Sequence, residues 1–398
     1  MVLRSLHIEN FRNIESLDID FGVEEKPRKW TYLLGENGTG KTNILRAIAL
    51  LLKRDDFAFS QLFSSSNNWV ANNQNTLQIE GSFYRGGKPT SVTMCRGENR
   101  YPFKTELTHG YFVVGYGASR RLANSVSIQS SNLFNMPEAR QVATLFSSDA
   151  TLNPLESWAM ELDYTDTENG LKRLREHLAN LLPDVEFLRI DKSTKHLVFR
   201  TPDGEIRLDQ LSDGFQNMLS WIGDLLYCHS ESVFAQIPLS DLYGLLLLDE
   251  MELHLHPKWQ RALRAYLDEK LPNFQIIATT HSPITAQQAQ EDELYYMERE
   301  SPTSPPKLHK YRGNPSQLMI HQMLNNPAFG NPTIDSYAVE QKRKEYIQLN
   351  VKSNRTSREN AKLKALNQEL GDLPTISMSG QDDDNSVMSL LRKIETAL

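Results

Sequence analysis

The sequence predicts an α/β fold: a parallel or mixed sheet carrying a phosphate-binding loop (P-loop), an inserted helical lobe, and a short helical C-terminal extension. Three observations predict it. The apolar WTYLL, residues 30–34, runs into the glycine-rich GENGTGKT and then into KTNILRAIALLLKR, where Ile44, Leu45, Ile48, Leu51 and Leu52 recur at helical spacing. Two more apolar runs, LLLL at 245–248 and QIIATT at 275–280, each end in polar residues. Between those two runs lies a helix-length segment, Trp259 to Lys270. Strands alternating with helices imply a largely parallel sheet.

Taken in order, LRSLHIENFRNIESLDIDF alternates apolar and polar residues on either side of a Phe-Arg-Asn turn, as paired strands do. Residues from about Thr76 to Gly117 read as further strands, ending in the apolar YFVVGYG. From Ala118 to about Leu182 the chain turns polar, with ESWAMEL and GLKRLREHLANLL as helices. A strand and turn unit, HLVFRTPDGEIRL, leads to LSDGFQNML and a helix reaching Tyr227. ESPTSPPK is a loop and GQDDDNS a solvated linker. In the final NSVMSLLRKIETAL, Val387, Leu390, Leu391, Ile394 and Leu398 share one helical face. The expected division is 1–117, a first part of the sheet lobe with the P-loop; 118–234, a helical lobe; 235–325, the second part of the sheet lobe; and 326–398, the helical extension.

The totals bound the function. With 398 residues and 39% hydrophobic composition, the chain can bury a sizeable core in two or three packed units. No apolar run approaches the roughly 20 residues of a spanning helix, and MVLRSLHIENFRN lacks the apolar centre of a signal peptide. Cys95 and Cys228 make no metal or redox motif. A cytoplasmic location is expected. A net charge of −7 argues against indiscriminate coating of nucleic acid, although a local basic face is compatible with it.

GENGTGKT, Gly35 to Thr42, fits G-x-x-x-x-G-K-[ST] and lies between a predicted strand and a predicted helix, the context the motif requires. Its backbone from Asn37 through Gly38 and Gly40 can turn amides toward phosphate oxygens at a helix N-terminus. Lys41 would reach the β- and γ-phosphates of ATP and Thr42 would ligate Mg²⁺. In GLLLLDE, an apolar strand delivers Asp249 toward the same Mg²⁺ and Glu250 to the strand's carboxyl edge, where it can act as general base for water. An acidic helix start is the plainer reading of those carboxylates. The strand IIATT ends in Thr280, His281 and Ser282. There His281 can sense a γ-phosphate, or simply cap a helix.

The order of these stretches, P-loop, LSDGFQ, LLLLDE, TTHS, resembles that of ABC-type ATPases. The resemblance implies that Ser212 and Gly214 begin a helix directed at ATP held by the opposite subunit, hence a homodimer or higher oligomer. Asp213 stands where that signature has a second glycine, which weakens the case for tight dimerisation. IENFRNIESLDIDF, GENGTGKTNILRAI and LLLLDEMELHLHPKWQRAL are similar to the SMC/RecF-like branch, and to the AAA-type ATPases of OLD, Septu and retron-associated phage defence. That likeness covers about residues 1 to 325. It implies an ATP-driven switch that senses or binds DNA and controls a separately encoded nuclease or other effector. A RecF-like repair ATPase is the alternative, and a transporter motor a weaker one, since Glu252, His254, His256 and Pro257 replace the transporter turn after the glutamate.

No strand precedes Asp382, Asp383 and Asp384, so the TOPRIM nuclease carboxylates of OLD enzymes are not matched. His254 and His256 are badly spaced for one metal ion. Gln129 and Gln141 are the candidates for the glutamine that joins the lobes. Two basic stretches offer output surfaces: Arg120 with Arg121, and the helix carrying Lys352, Arg355, Arg358, Lys362 and Lys364, which either meets DNA phosphates or is a solvated face.

Overall fold

A computed structural model describes residues 2–23, 26–52, 69–71, 74–84, 90–95, 103–104, 111–122, 137–165, 170–179, 181, 185–301, 304–324, 326–329, 336–352 and 355–371. The chain divides into two units, Met1–Ile320 and His321–Leu398. Gln129, Asp382 to Asp384 and the apolar stripe from Val387 to Leu398 lie outside the described residues.

The first unit opens with β1 (Val2–Phe11) and β2 (Ile14–Asp20), an antiparallel hairpin with Leu6 opposite Ile19 and Ile8 opposite Leu17. Alternation drives it: Leu6 and Ile8 face a core that Ser5, His7 and Glu9 avoid, and the register shift between Leu3 and Ser5 brings Leu3 into the same core. β3 (Trp30–Gly35) follows, wholly buried, and feeds α1 (Lys41–Leu52) through the glycine-rich loop. β4 (Thr76–Tyr84), β5 (Thr90–Cys95) and the short β6 (Phe103–Lys104) extend the hairpin into a five-stranded sheet of order β2-β1-β4-β5-β6. α1 buries nearly all its length between this sheet and the central one, so Ile44, Leu45, Ile48 and Leu51 are fully inaccessible.

β7 (Phe112–Tyr116) leads to α2 (Leu155–Thr165) and α3 (Gly170–Leu178), the two helices expected there, and then to a three-stranded meander of β8 (Glu186–Asp191), β9 (His196–Thr201) and β10 (Gly204–Arg207). α4 (Asp213–Ser230) begins at the LSDGFQ stretch. Next come β11 (Gly244–Leu248), α5 (Pro257–Lys270), β12 (Phe274–Thr280), β13 (Leu294–Glu298) and β14 (Lys307–Lys310). The central sheet runs β14-β13-β3-β12-β11-β7, parallel throughout except at β14. Fully buried leucines and isoleucines on both faces are what a parallel strand between helical layers demands. The register pairs Leu248 with both Ala278 and Tyr116, so the strands end level and their loops meet at one edge.

In the second unit, α6 (Tyr337–Val351) and α7 (Ser357–Gly371) pair through Lys342–Glu369 and Lys362–Glu345, and Lys352 binds Glu359. Arg355 donates to the carbonyls of Leu349 and Asn350 at the end of α6. Three of the five cations of that basic stretch, read as either a DNA-facing or a solvated face, are therefore engaged within the hairpin. No helix among the described residues is long and apolar enough to cross a membrane.

Candidate functional site

Where the parallel strands end, a cavity of about 380 Å³ collects Asn37, Gly38, Gly40, Lys41, Thr42, Asp249, Glu250 and His281, all expected from the sequence. Ser212 and Gly214 are not in its lining. Four cationic side chains, Arg12, Lys41, Arg46 and Arg299, face two carboxylates there, a balance that suits a polyanionic ligand.

The glycine-rich loop is held from both sides. Asn13, at the tip of the first hairpin, donates to Gly38 O at 3.0 Å and accepts from the Asn43 amide at 2.7 Å. Gly40 has φ +103°, and a Cβ there would lie 2.9 Å from Asn13 Oδ1, so only glycine fits the turn. Arg299 reaches the same Gly38 carbonyl at 3.1 Å. Arg12 and Arg46 both donate to Asn43 Oδ1, and Arg12 also lies 4.1 Å over the Trp69 ring. None of these contacts was expected from the sequence, where Arg12 and Asn13 read only as a turn.

Lys41 Nζ donates to Gly35 O at 2.8 Å and Glu36 O at 2.9 Å. Burial pushes its ammonium down to about 8, against the opposing pull of Asp249, Glu250, Glu252 and Glu36. Thr42 Oγ1 lies 2.8 and 3.1 Å from the two Asp249 oxygens, and Thr279 Oγ1 donates to Asp249 Oδ1 at 2.7 Å. One hydroxyl and one carboxylate, hard oxygens side by side, fit Mg²⁺, which takes few protein ligands and keeps water and phosphate for the rest. No three-residue His/Cys/Asp/Glu cage exists among the described residues.

Glu250 adopts φ +47°, a left-handed backbone rare outside glycine. Its amide donates to Thr279 Oγ1 at 2.7 Å and its carbonyl accepts from Arg120 at 3.1 Å. Burial, and then Lys41, depress His281, leaving it neutral near pH 7. Glu252 fixes the loop carrying it, for one oxygen accepts the amides of His281 at 2.6 Å and Ser282 at 3.1 Å.

The LSDGFQ stretch sits apart. Ser212 is the N-cap residue of α4, exposed, and its hydroxyl makes no capping bond. Gly214 instead faces inward: a Cβ there would come within 2.4 Å of His254 O. His254 and His256 thus serve packing and capping, with His256 accepting from the Lys258 amide and the Trp259 ring packed at a tilt against Phe215. Arg120, read from the sequence as an output surface, is buried, and the Arg121 side chain lies outside what is described. Gln141 offers its carbonyl to the Gly115 amide and does not line the cavity.

The P-loop, the strand end with Asp249 and Glu250, and His281 thus meet at one edge of a parallel sheet, the arrangement of a P-loop nucleotide site, while the helix that starts at Ser212 stands outside the cavity. The chain is similar to known proteins over parts of its length. Residues 1–141 match the family described as "AAA ATPase domain", and residues 118–286 an "AAA domain" family of a "Type IV TA system". The chain is 25% identical to Septu protein PtuA of Bacillus mycoides over 71% of its own length and 38% of that protein's. It is 26% identical to Septu protein PtuA of Bacillus thuringiensis over 74% of this chain and 75% of that one. To the Retron Vc95 probable ATPase of Vibrio cholerae it is 31% identical over 34% of this chain and 28% of that one. The match spans less than half the length of the first of these relatives.

Proposed function

We propose that the chain binds ATP with Mg²⁺ in the cavity at the sheet edge and hydrolyses it only when a second copy completes the site. One observation carries this reading: the cavity gathers the P-loop, Asp249, Glu250 and His281, while the exposed Ser212 stays outside it. In this reading Asn37, Gly38, Gly40 and Lys41 hold the phosphates, and Thr42 and Asp249 hold Mg²⁺. Glu250 takes the proton of the attacking water, and neutral His281 reports the γ-phosphate. Ser212 of the facing copy closes on the nucleotide, while Gly214 lets its helix seat low enough to do so. The functional division is 1–117 and 235–325 for the nucleotide lobe, 118–234 for the signature lobe, and 326–398 for the extension.

The extent of the likeness to Septu proteins, roughly seven-tenths of the chain, favours a defence role over repair or transport. In that role a cytoplasmic dimer or higher oligomer senses or binds DNA and releases or restrains a separately encoded nuclease.

Mixing tests the composite site. Ser212→Arg and Lys41→Ala are each inactive alone, and their mixture regains hydrolysis because one of its two sites keeps a native P-loop and a native facing signature. Glu250→Gln retains ATP but loses about 10²- to 10⁴-fold in turnover, as loss of a general base does. Normal hydrolysis by Ser212→Arg would end the composite-site reading.

A further inference from the structure

Arg120 lies just beyond β7 and is 7% exposed, yet its acceptors are all neutral oxygens. Nε donates to Gly117 O at 3.1 Å and Nη1 to Asn217 Oδ1 at 3.2 Å. Nη2 donates to the carbonyls of Asp249 at 2.6 Å and Glu250 at 3.1 Å. The guanidinium also sits 5.9 Å from the centre of the Trp221 ring. Asn217 and Trp221 are one turn apart on the same face of α4, the helix whose exposed start is Ser212. A single rigid plane therefore joins the end of β7, the signature helix, and the turn that carries the Glu250 carboxylate. Lysine, with one point of charge, cannot make that three-way fork.

The Glu250 backbone is the sensitive partner. A non-glycine residue with φ +47° keeps that conformation only while its surroundings hold it. Thr279 holds its amide, and Arg120 with the Leu253 amide holds its carbonyl. Asn217 and the fork thus connect α4 directly to the Glu250 peptide, the backbone from which the carboxylate projects.

We infer that Arg120 is a positioning residue that couples the signature helix to the orientation of the Glu250 carboxylate, so that engagement of Ser212 by a second copy sets the base for hydrolysis. This rests on the composite-site reading above. It assigns turnover, rather than nucleotide affinity, to the Asn217–Arg120–Glu250 line.

The test uses the full chain and ATP. Asn217→Leu keeps the branched outline of this half-buried side chain and removes the acceptor, whereas Asn217→Asp keeps the acceptor. With Asn217→Leu, ATP affinity and ATP-dependent association, read in a Glu250→Gln background, stay within about twofold while kcat falls about 10- to 100-fold, the cost of a misplaced catalytic group. Asn217→Asp recovers most of the rate. Normal kcat in Asn217→Leu overturns the coupling, and so does a joint loss of affinity, association and melting temperature. Failure of Asn217→Asp to recover does the same. Ser212→Arg and Glu250→Gln run alongside. If Ser212→Arg hydrolyses at the parent rate, the composite-site reading fails and takes the coupling with it; if Ser212→Arg and Glu250→Gln are both inactive and Asn217→Leu is normal, the coupling alone fails.

Discussion

Thr279 donates its hydroxyl to Asp249 Oδ1 at 2.7 Å and accepts the Glu250 amide at the same distance, so one buried threonine sets both carboxylate residues. Thr279→Val preserves shape but leaves a buried N–H without its acceptor, which costs about 1–3 kcal/mol. We expect a lower melting temperature and a fall in turnover that exceeds any fall in ATP affinity. Thr279→Ser restores both. A valine variant as stable and as active as the parent contradicts this account of the strand ends.

Affinity for ATP should depend on pH through Lys41. Burial holds its ammonium down to about 8 in the free protein, and a bound polyphosphate favours the charged form. Below that value the proton is already present, so affinity is flat. Above it, binding must take up a proton, and affinity falls by up to about tenfold per pH unit. Equilibrium binding to the Glu250→Gln variant from neutral to alkaline pH measures it. An affinity that stays flat through the alkaline range removes Lys41 as the titrating group.

Gly214→Ala sets two effects against each other. Alanine favours a helix by about 1 kcal/mol over glycine. Its methyl group, however, would stand 2.4 Å from the carbonyl oxygen of His254, a backbone atom that cannot swing aside. Overpacking of that kind costs about 1–3 kcal/mol, so it wins. The expected result is a lower melting temperature together with slower hydrolysis. A variant that melts higher than the parent would show that the helix start seats differently.

The residues that meet in the cavity at the sheet edge were legible because each lies at a junction that the sequence itself marks. Lys41 and Thr42 follow a strand and glycines, and Asp249, Glu250 and His281 end apolar runs. Arg120 was not legible. Its partners stand about a hundred residues away, at Asn217, Asp249 and Glu250, and an arginine pair after a glycine has no periodicity to separate a buried fork from a wet surface. Asn13 and Arg299 carry no mark in the sequence for the same reason, since only the folded chain brings them to Gly38. In the basic C-terminal stretch, composition gave charges but not their partners. The carboxylates of Glu345 and Glu359 claim Lys362 and Lys352, and neither pairing follows from reading along one helix.

The parallel register between β11 and β12 bears on how such a chain can change by descent. Leu248 stands opposite Ala278, and the next rung brings Asp249 to Thr279. Adding or deleting one residue inside either strand would turn Thr279 to the other face and separate the pair. The same event in the Leu271–Asn273 turn, between α5 and β12, leaves the rungs aligned. Insertions and deletions in a lineage of such proteins should therefore gather in that turn, with the two strands inherited at constant length.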